Sequence, residues 1–242
     1  MSVLIAIPAH ERERLVRFCL ATVARMERPA GSELLLIDDA CRTFDPVAAA
    51  ADAGLTVTLQ RHGFRVGADA TTWLAMTRLG SSEHSHLLFV DSDMVVNTTA
   101  LSDGLALLAH YDGLLSLYNS MMHEGLESEG EIVRKRALGN AGTLWRRDLV
   151  ELVLKGLPPG AYLDDRYCTF LGERGIPVAS VARSRMQHLG FEGSNNRYFG
   201  KLEHGIGFVP DEAHQTAALL SVYDDLLMRQ AYFAAPSRRQ KT

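Results

Sequence analysis

The sequence predicts an α/β fold, one domain in which a mostly parallel, Rossmann-like central sheet is flanked by helices. Three observations carry this. Runs that are apolar throughout, Val3 to Ile7, Leu34 to Ile37 and Leu87 to Val90, with a further strand over Leu55 to Leu59, recur over the first hundred residues, as strands covered on both faces do. Segments with apolar residues at three- and four-residue spacing, 11–26 and 68–79, separate them and read as helices. Two of the strands stop at acids, Asp38-Asp39 and Asp91-Ser92-Asp93, at the edge where open parallel sheets bind ligands.

The second half is less regular. Residues 101–110 read as a helix and 113–117 as a strand. Residues 119–140 are polar, with glycines, and suit a loop or short hairpin over a site. Helices are expected over 147–155 and 164–174, broken apart by Pro158-Pro159-Gly160, and a last short strand over 177–182. The glycines between Gly190 and Gly207 predict a mobile lid. The division expected is one domain over 1–210, a βαβ nucleotide-binding type of unit to about 95 and a less regular half after it. A C-terminal helix over 211–233 and a flexible tail from 234 follow. Its apolar stretch, Ala217 to Met228, suits packing on its own domain or on a partner, so oligomeric state stays open.

The totals narrow the function. With 242 residues, 47% of them apolar, the chain can fill a sizeable core. A net charge of −4 gives no footprint for non-specific nucleic-acid binding, and Arg134-Lys135-Arg136 is the one basic run. Cys19, Cys41 and Cys168 lie far apart without a CxxC pair, which fits a reducing compartment. The opening residues lack the basic start and apolar length of a signal peptide. No run approaches the ~20 apolar residues of a membrane span. The expectation is a soluble, cytoplasmic protein with no integral membrane segment.

Carboxylates converging on one sheet edge repel one another, and a divalent cation relieves that; oxygen ligands suit Mn2+ or Mg2+. A lone Asp38 ending a strand reads equally as a helix cap, whereas Asp91 and Asp93 together point to a site. The turn after the first strand, Pro8-Ala9-His10-Glu11-Arg12, has no GxGxxG, and the chain holds neither a GxxxxGK[ST] loop nor HExxH. Its charged run is either a solvated helix start or a place where Arg12 meets a nucleotide.

These residues, in order, resemble the GT-A glycosyltransferases of family 2 over most of residues 3–195. Ile5 to Arg12 is similar to that family's strand and "PxxNR" entry, with His10-Glu11 replacing the usual pair. Asp38-Asp39-Ala40 resembles the "DDxS" element that contacts the base, with Cys41 where a polar residue is common. The glycine-bearing segment 62–70 would bring Arg65 near the base or diphosphate. Asp91-Ser92-Asp93 matches the DxD motif. Gly139 to Arg147, including Gly142 and Trp145, is similar to the segment facing donor and acceptor. Asp164-Asp165 resembles the "ED" motif of the catalytic base, with Asp in place of Glu, and position in the motif favours Asp165. Gln187-His188-Leu189-Gly190 is similar to the late histidine completing the metal site.

The resemblance implies an inverting transfer of a sugar from a nucleotide-sugar, a UDP-sugar first, to an acceptor hydroxyl. Asp93 and His188 would hold the cation, with Asp91 on the ribose or a metal-bound water, and Asp165 would take the hydroxyl proton. Pro8, Ala9, His10, Arg12, Asp38, Asp39, Arg65, Asp91, Ser92, Gly142 and Trp145 would line the donor. Plainer readings stand beside these: Asp164-Asp165 as helix-start acids, His188 as a structural histidine, and Trp145 as core. Ser194, Asn195 and Arg197 read either as diphosphate partners or as ordinary loop residues. The acceptor stays open among glycan, lipid, protein, metabolite and modified nucleic-acid base.

Three rival functions fit parts of this pattern. A haloacid-dehalogenase-like phosphatase would use Asp91 as nucleophile, but it expects that motif on its first strand and a later lysine. A sugar-nucleotide pyrophosphorylase lacks its lysine-bearing signature here. A nucleotide-sugar-binding domain without catalysis would not need Asp165 and His188.

Overall fold

The computed structural model describes residues 2–190 and 203–234. Its elements run β1 (Val3–Ala9), α1 (Glu13–Arg25), β2 (Glu33–Asp38), α2 (Pro46–Asp52), β3 (Thr58–Arg61), α3 (Ala68–Gly80), β4 (His86–Phe89), β5 (Met94–Val96) and α4 (Ala100–Leu108). Then follow β6 (Leu114–Ser116), β7 (Gly125–Glu129), β8 (Ile132–Lys135), β9 (Thr143–Arg146), α5 (Arg147–Gly156), α6 (Leu163–Gly172), β10 (Val178–Val181), β11 (Met186–His188) and α7 (Ala213–Ala234).

The main sheet has the order β3-β2-β1-β4-β9-β6-β10-β8-β7. From β3 to β4 every pairing is parallel. Beyond β4 the sheet is mixed: β9 runs antiparallel to both β4 and β6, β10 is parallel to β6, and β8 and β7 close the far edge as a hairpin. The α/β class stands, and the loop or hairpin expected over 119–140 is this hairpin with its flanks.

Side-chain alternation splits the core into two layers. In β1, Ile5 and Ile7 join Val16, Leu20 and Val23 of α1 and Leu101 of α4. Leu4 and Ala6 face the other way, to Met76 and Leu79 of α3, Val150 of α5 and Leu171 of α6. A strand buried on both faces must read as a continuous apolar run, which is why β1, β2 and β4 were visible in the sequence. The third strand starts later than predicted, because Leu55 closes the turn after α2, donating its N–H to the Ala50 carbonyl. Alanine-rich α2 carried no apolar periodicity; it is started by Pro46 in its first turn and by the Asp45 carboxylate, which accepts from Val47 N–H.

A second, two-stranded sheet pairs β5 with β11, Met94 opposite His188. Over it lies α7, whose Ala218, Val222 and Leu226 pack with Val95, Leu189 and Leu15 and Phe18 of α1. The C-terminal apolar stretch is therefore used within its own domain, leaving Leu220, Leu227 and Met228 exposed. Among the described residues no helix is long and apolar enough to cross a membrane. Cys19, Cys41 and Cys168 are all unpaired. Ser194, Asn195, Arg197, much of the predicted lid and the tail beyond Ala234 lie outside the described residues.

Candidate active site

The carboxyl edges of β1, β2 and β4 place Ala9, Asp38 and the 91–93 turn side by side, as their registers require. Asp93 is 3% exposed and is the hub. Its Oδ2 accepts from Arg12 Nη1 at 2.7 Å, and its Oδ1 lies 3.2 Å from His188 Nε2. The residues come from three distant stretches of chain. The β5–β11 pairing joins two of them, and Leu189 N–H donates to the Asp93 carbonyl at 2.8 Å. His188 Nδ1 is buried and has no hydrogen-bond partner among the described residues.

The protonation states follow from this crowding. Burial pushes Asp91 up, the neighbouring Asp93 adds to it, and the carboxyl reaches about 7 against the pull of His188 and Arg12. Burial also works against the Asp93 charge, yet His188 and Arg12 outweigh it and hold the carboxyl well below the usual range. Burial lowers His188, but Asp93 more than reverses this, and the imidazole rises to about 9. A buried Asp93, a half-buried Asp91 and a paired imidazole form a donor set suited to a hard divalent cation. The set is not assembled as a cage: among the described residues no three His, Cys, Asp or Glu side chains converge as metal ligands. Of the predicted trio Asp91, Asp93 and His188, the structure brings Asp93 and His188 into contact, with Arg12 on the other oxygen of Asp93.

Asp91 gives a pH signature. Its raised folded pKa means that the metal-free protein loses stability as pH climbs from about 4, the unfolded value, through about 7. Asp91→Asn removes that loss. It should raise Tm at pH 8, by as much as roughly 8–16 °C for the full loss of about 4 kcal/mol, and change it little at pH 4. Thermal unfolding without metal at both pH values checks this, and an equal effect at both would refute the assignment.

Gly190 completes the cluster. A Cβ there would sit 2.3 Å from Asp93 Oδ2 and 3.1 Å from both Arg12 Nη1 and His188 Cε1. Gly190→Ala must therefore rotate a pinned, buried carboxylate. The expected result is a fall in Tm of roughly 2–12 °C, from an overpacking cost of about 1–3 kcal/mol, with secondary structure retained by circular dichroism. An unchanged Tm would show that Asp93 moves freely.

The other predicted donor residues form a second group at the end of β2. Asp38 is 3% exposed and accepts from Cys41 N–H and Arg61 Nε, both at 2.8 Å. Asp39, equally buried, accepts from Val66 N–H at 2.5 Å and Gly67 N–H at 3.0 Å, so it shapes the loop carrying Arg65. His10 Nδ1 is 2.6 Å from the Asp39 carbonyl. Ala9 offers its own carbonyl to Asp39 N–H and Cys41 Sγ, while Pro8 pairs with Ile37 in the sheet. Ser92 is buried in the 91–93 turn. Both carboxylates are satisfied by the protein itself and hold the β2 end in shape.

Trp145 corrects the expectation of a ring near the sugar. It lies in β9 opposite Leu87, is 1% exposed and packs edge-on against Tyr167 with centroids 4.8 Å apart. The unpredicted antiparallel β9 sits between β4 and β6, where both faces are covered, so its aromatic side chain is core. Gly142 likewise serves the backbone. Its φ is +72°, and a Cβ would lie 2.9 Å from Tyr118 backbone and Cβ.

Asp164 and Asp165 open α6. Asp164 is half-buried, accepts from Asp165 N–H at 3.0 Å, and burial pushes its carboxyl up. Asp165 is exposed. Their fields reach His123, and Asp91, Asp164 and Asp165 all act on the Tyr167 hydroxyl, which donates to Asn140 Oδ1 at 3.1 Å. The α6 acids and Asp91 therefore lie within electrostatic reach of one buried hydroxyl.

Tyr118, Ser120, His123 and Glu203 lie near this cluster and had no signal in the sequence. The Glu203 carbonyl accepts from Tyr118 Oη and Gln187 Nε2, both at 2.8 Å, and its carboxylate accepts from Ser120 Oγ. Its charge acts on Asp91, His188 and His123. No motif brackets it, since it reaches the site from the glycine-rich stretch after β11.

No protein-family model matches the chain, and no curated protein matches it. Solved structures do. TarS from S. aureus superposes with a TM-score of 0.57 at 17% identity, over 77% of this chain and 60% of that one. The mannosyltransferase PcManGT from Pyrobaculum calidifontis, in complex with GDP-Man and Mn2+, gives 0.56 at 15% identity over 82% and 58%. GalNAc-T7 with UDP, GalNAc and Mn2+ gives 0.63 at 12% identity over 93% and 48%. The chain matches 48–60% of the length of these proteins, and at such identities the likeness speaks to architecture. That architecture is shared over 77–93% of this chain: the protein has the GT-A fold of these glycosyltransferases.

Proposed function

We propose that this protein is an inverting, metal-dependent glycosyltransferase that moves a sugar from a nucleotide-sugar to an acceptor hydroxyl. The observation that carries the reading is the Arg12–Asp93–His188 cluster, with Asp91 beside it, at the carboxyl edge of a GT-A sheet. Asp93 and His188 would hold Mn2+ or Mg2+, which supplies Lewis-acid neutralisation of the departing diphosphate. Asp91 would lie toward the ribose. The β2 end and the loop shaped by Asp39 would receive the base, with Arg65 at its side. Asp165, exposed at the start of α6, takes the proton from the acceptor hydroxyl as that oxygen bonds to the anomeric carbon and the nucleoside diphosphate leaves.

The structural neighbours bind different donors, GDP-Man in PcManGT and UDP-GlcNAc in TarS. We take UDP-sugars as the first donors to test. Calorimetry and thermal shift with UDP, GDP and dTDP, each with and without Mn2+, decide the reading. One nucleotide should stabilise the protein only with metal, and Asp93→Ala should abolish the effect. If no nucleotide stabilises the protein, the proposal fails.

A further inference from the structure

Arg12 is held in an unusual backbone to reach Asp93. Glu11 and Arg12 are consecutive non-glycine residues in the left-handed region, with φ of 50° and 54°. Such conformations cost of order 1–3 kcal/mol each and persist only where surroundings impose them. The surroundings are visible. The Glu11 carboxylate accepts from Arg42 and Thr43 N–H at 3.0 and 3.2 Å, and the Arg12 carbonyl accepts from Leu15 and Val16 N–H to start α1. Locked this way, the guanidinium enters from the rim, 36% exposed, and lies on an Asp93 carboxylate that is 5% exposed. Asp93 then has a partner on each oxygen, Arg12 Nη1 at 2.7 Å on Oδ2 and His188 Nε2 at 3.2 Å from Oδ1.

A divalent ion approaching this carboxylate meets a guanidinium already seated on Oδ2. A diphosphate brings the opposite charge, and guanidinium groups pair with phosphate oxygens at least as well as with carboxylate. We propose that Arg12 is a built-in counter-ion for Asp93 that makes divalent-cation binding conditional on a nucleoside diphosphate: Arg12 leaves Asp93 for the diphosphate, and only then is the carboxylate open to the cation. This rests on the donor-site reading above, and it assigns Arg12 a role in the order of binding that lining the donor does not require.

The test is Mn2+ binding followed by electron paramagnetic resonance of free Mn2+, for the native protein, Arg12→Gln and Arg12→Lys, alone and with UDP or GDP. The native protein should bind Mn2+ alone at least about tenfold more weakly than with the preferred nucleotide. Arg12→Gln should tighten binding of Mn2+ alone by about tenfold and remove most of the nucleotide dependence, while Arg12→Lys, which keeps the charge, should stay near the native value. Should Arg12→Gln fail to fold, arginine-15N spectra of the native protein give the same answer. The Arg12 side-chain signal, assigned with Arg12→Lys, should shift on adding Mg2+ with nucleotide and not with Mg2+ alone. Arg12→Gln binding Mn2+ alone no better than the native protein, or an unmoved Arg12 signal, overturns the counter-ion role and leaves the transferase reading intact. Absence of any metal-linked nucleotide binding, in every form, removes both.

Discussion

Asp93→Asn is expected to lower glycosyl transfer at least about a thousandfold, since several kcal/mol of charge stabilisation on the diphosphate would be lost at about 1.4 kcal/mol per tenfold. The same change has a structural consequence that separates it from a simple active-site knockout. Asn keeps the shape of the side chain but leaves Arg12 and the His188 imidazolium facing a neutral group. Removing one partner of a buried ion pair costs about 3 kcal/mol or more. For a chain of this length that is a fall in Tm of roughly 6–12 °C.

The pH dependence of that fall has a definite sign. Asp93 has a depressed folded pKa, so its share of stability is present above the unfolded value near 4 and is lost in stronger acid. His188 has a raised one, so its share is complete below about 6.5 and is lost as pH rises through about 9. The gap in stability between the native protein and Asp93→Asn should therefore be widest between about pH 5 and 6.5 and should narrow toward pH 9 and beyond. Thermal melts across this range check it. A constant gap would mean that the pair contributes no pH-dependent stabilisation.

Asp165→Asn should reduce turnover by about 10²- to 10⁴-fold, the usual range for a general base, while metal-dependent nucleotide affinity stays within about threefold of native. Asp164→Asn should have a smaller effect on turnover and a larger one on stability. Its carboxylate is half-buried against Asp165 N–H and neighbours Asp69, which in turn accepts from the N–H groups of Tyr162 and Leu163 at 3.1 and 3.0 Å. Single-turnover assays with calorimetry on both variants separate the roles. The reverse ranking of the two variants would move the base to Asp164.

How much of this was legible in the sequence depends on how local each feature is. The strands β1, β2 and β4 and the helices α1 and α3 declared themselves because burial on two faces, or along one stripe, writes a short-range pattern. The acids ending β2 and β4 were equally visible, because their position follows from where an apolar run stops. Strand β9 was not: Thr143 to Arg146 is four residues long and holds its place only through β4 and β6 on either side. Missing it left Trp145 open between a donor-lining residue and a core one.

By itself the sequence determined the α/β class, the acid-bearing edge of the sheet and the ordered set of acids from Asp38 to Asp165, since each is written in neighbouring residues. Only the tertiary structure decided that Arg12 sits on Asp93, that the β5–β11 pairing seats His188 opposite Met94, and that Gly190 and Glu203 come close to the same acids. Those contacts join residues from about 80 to more than 100 positions apart, and such pairings depend on how the sheets and helices pack rather than on any pattern a strand or helix carries alone.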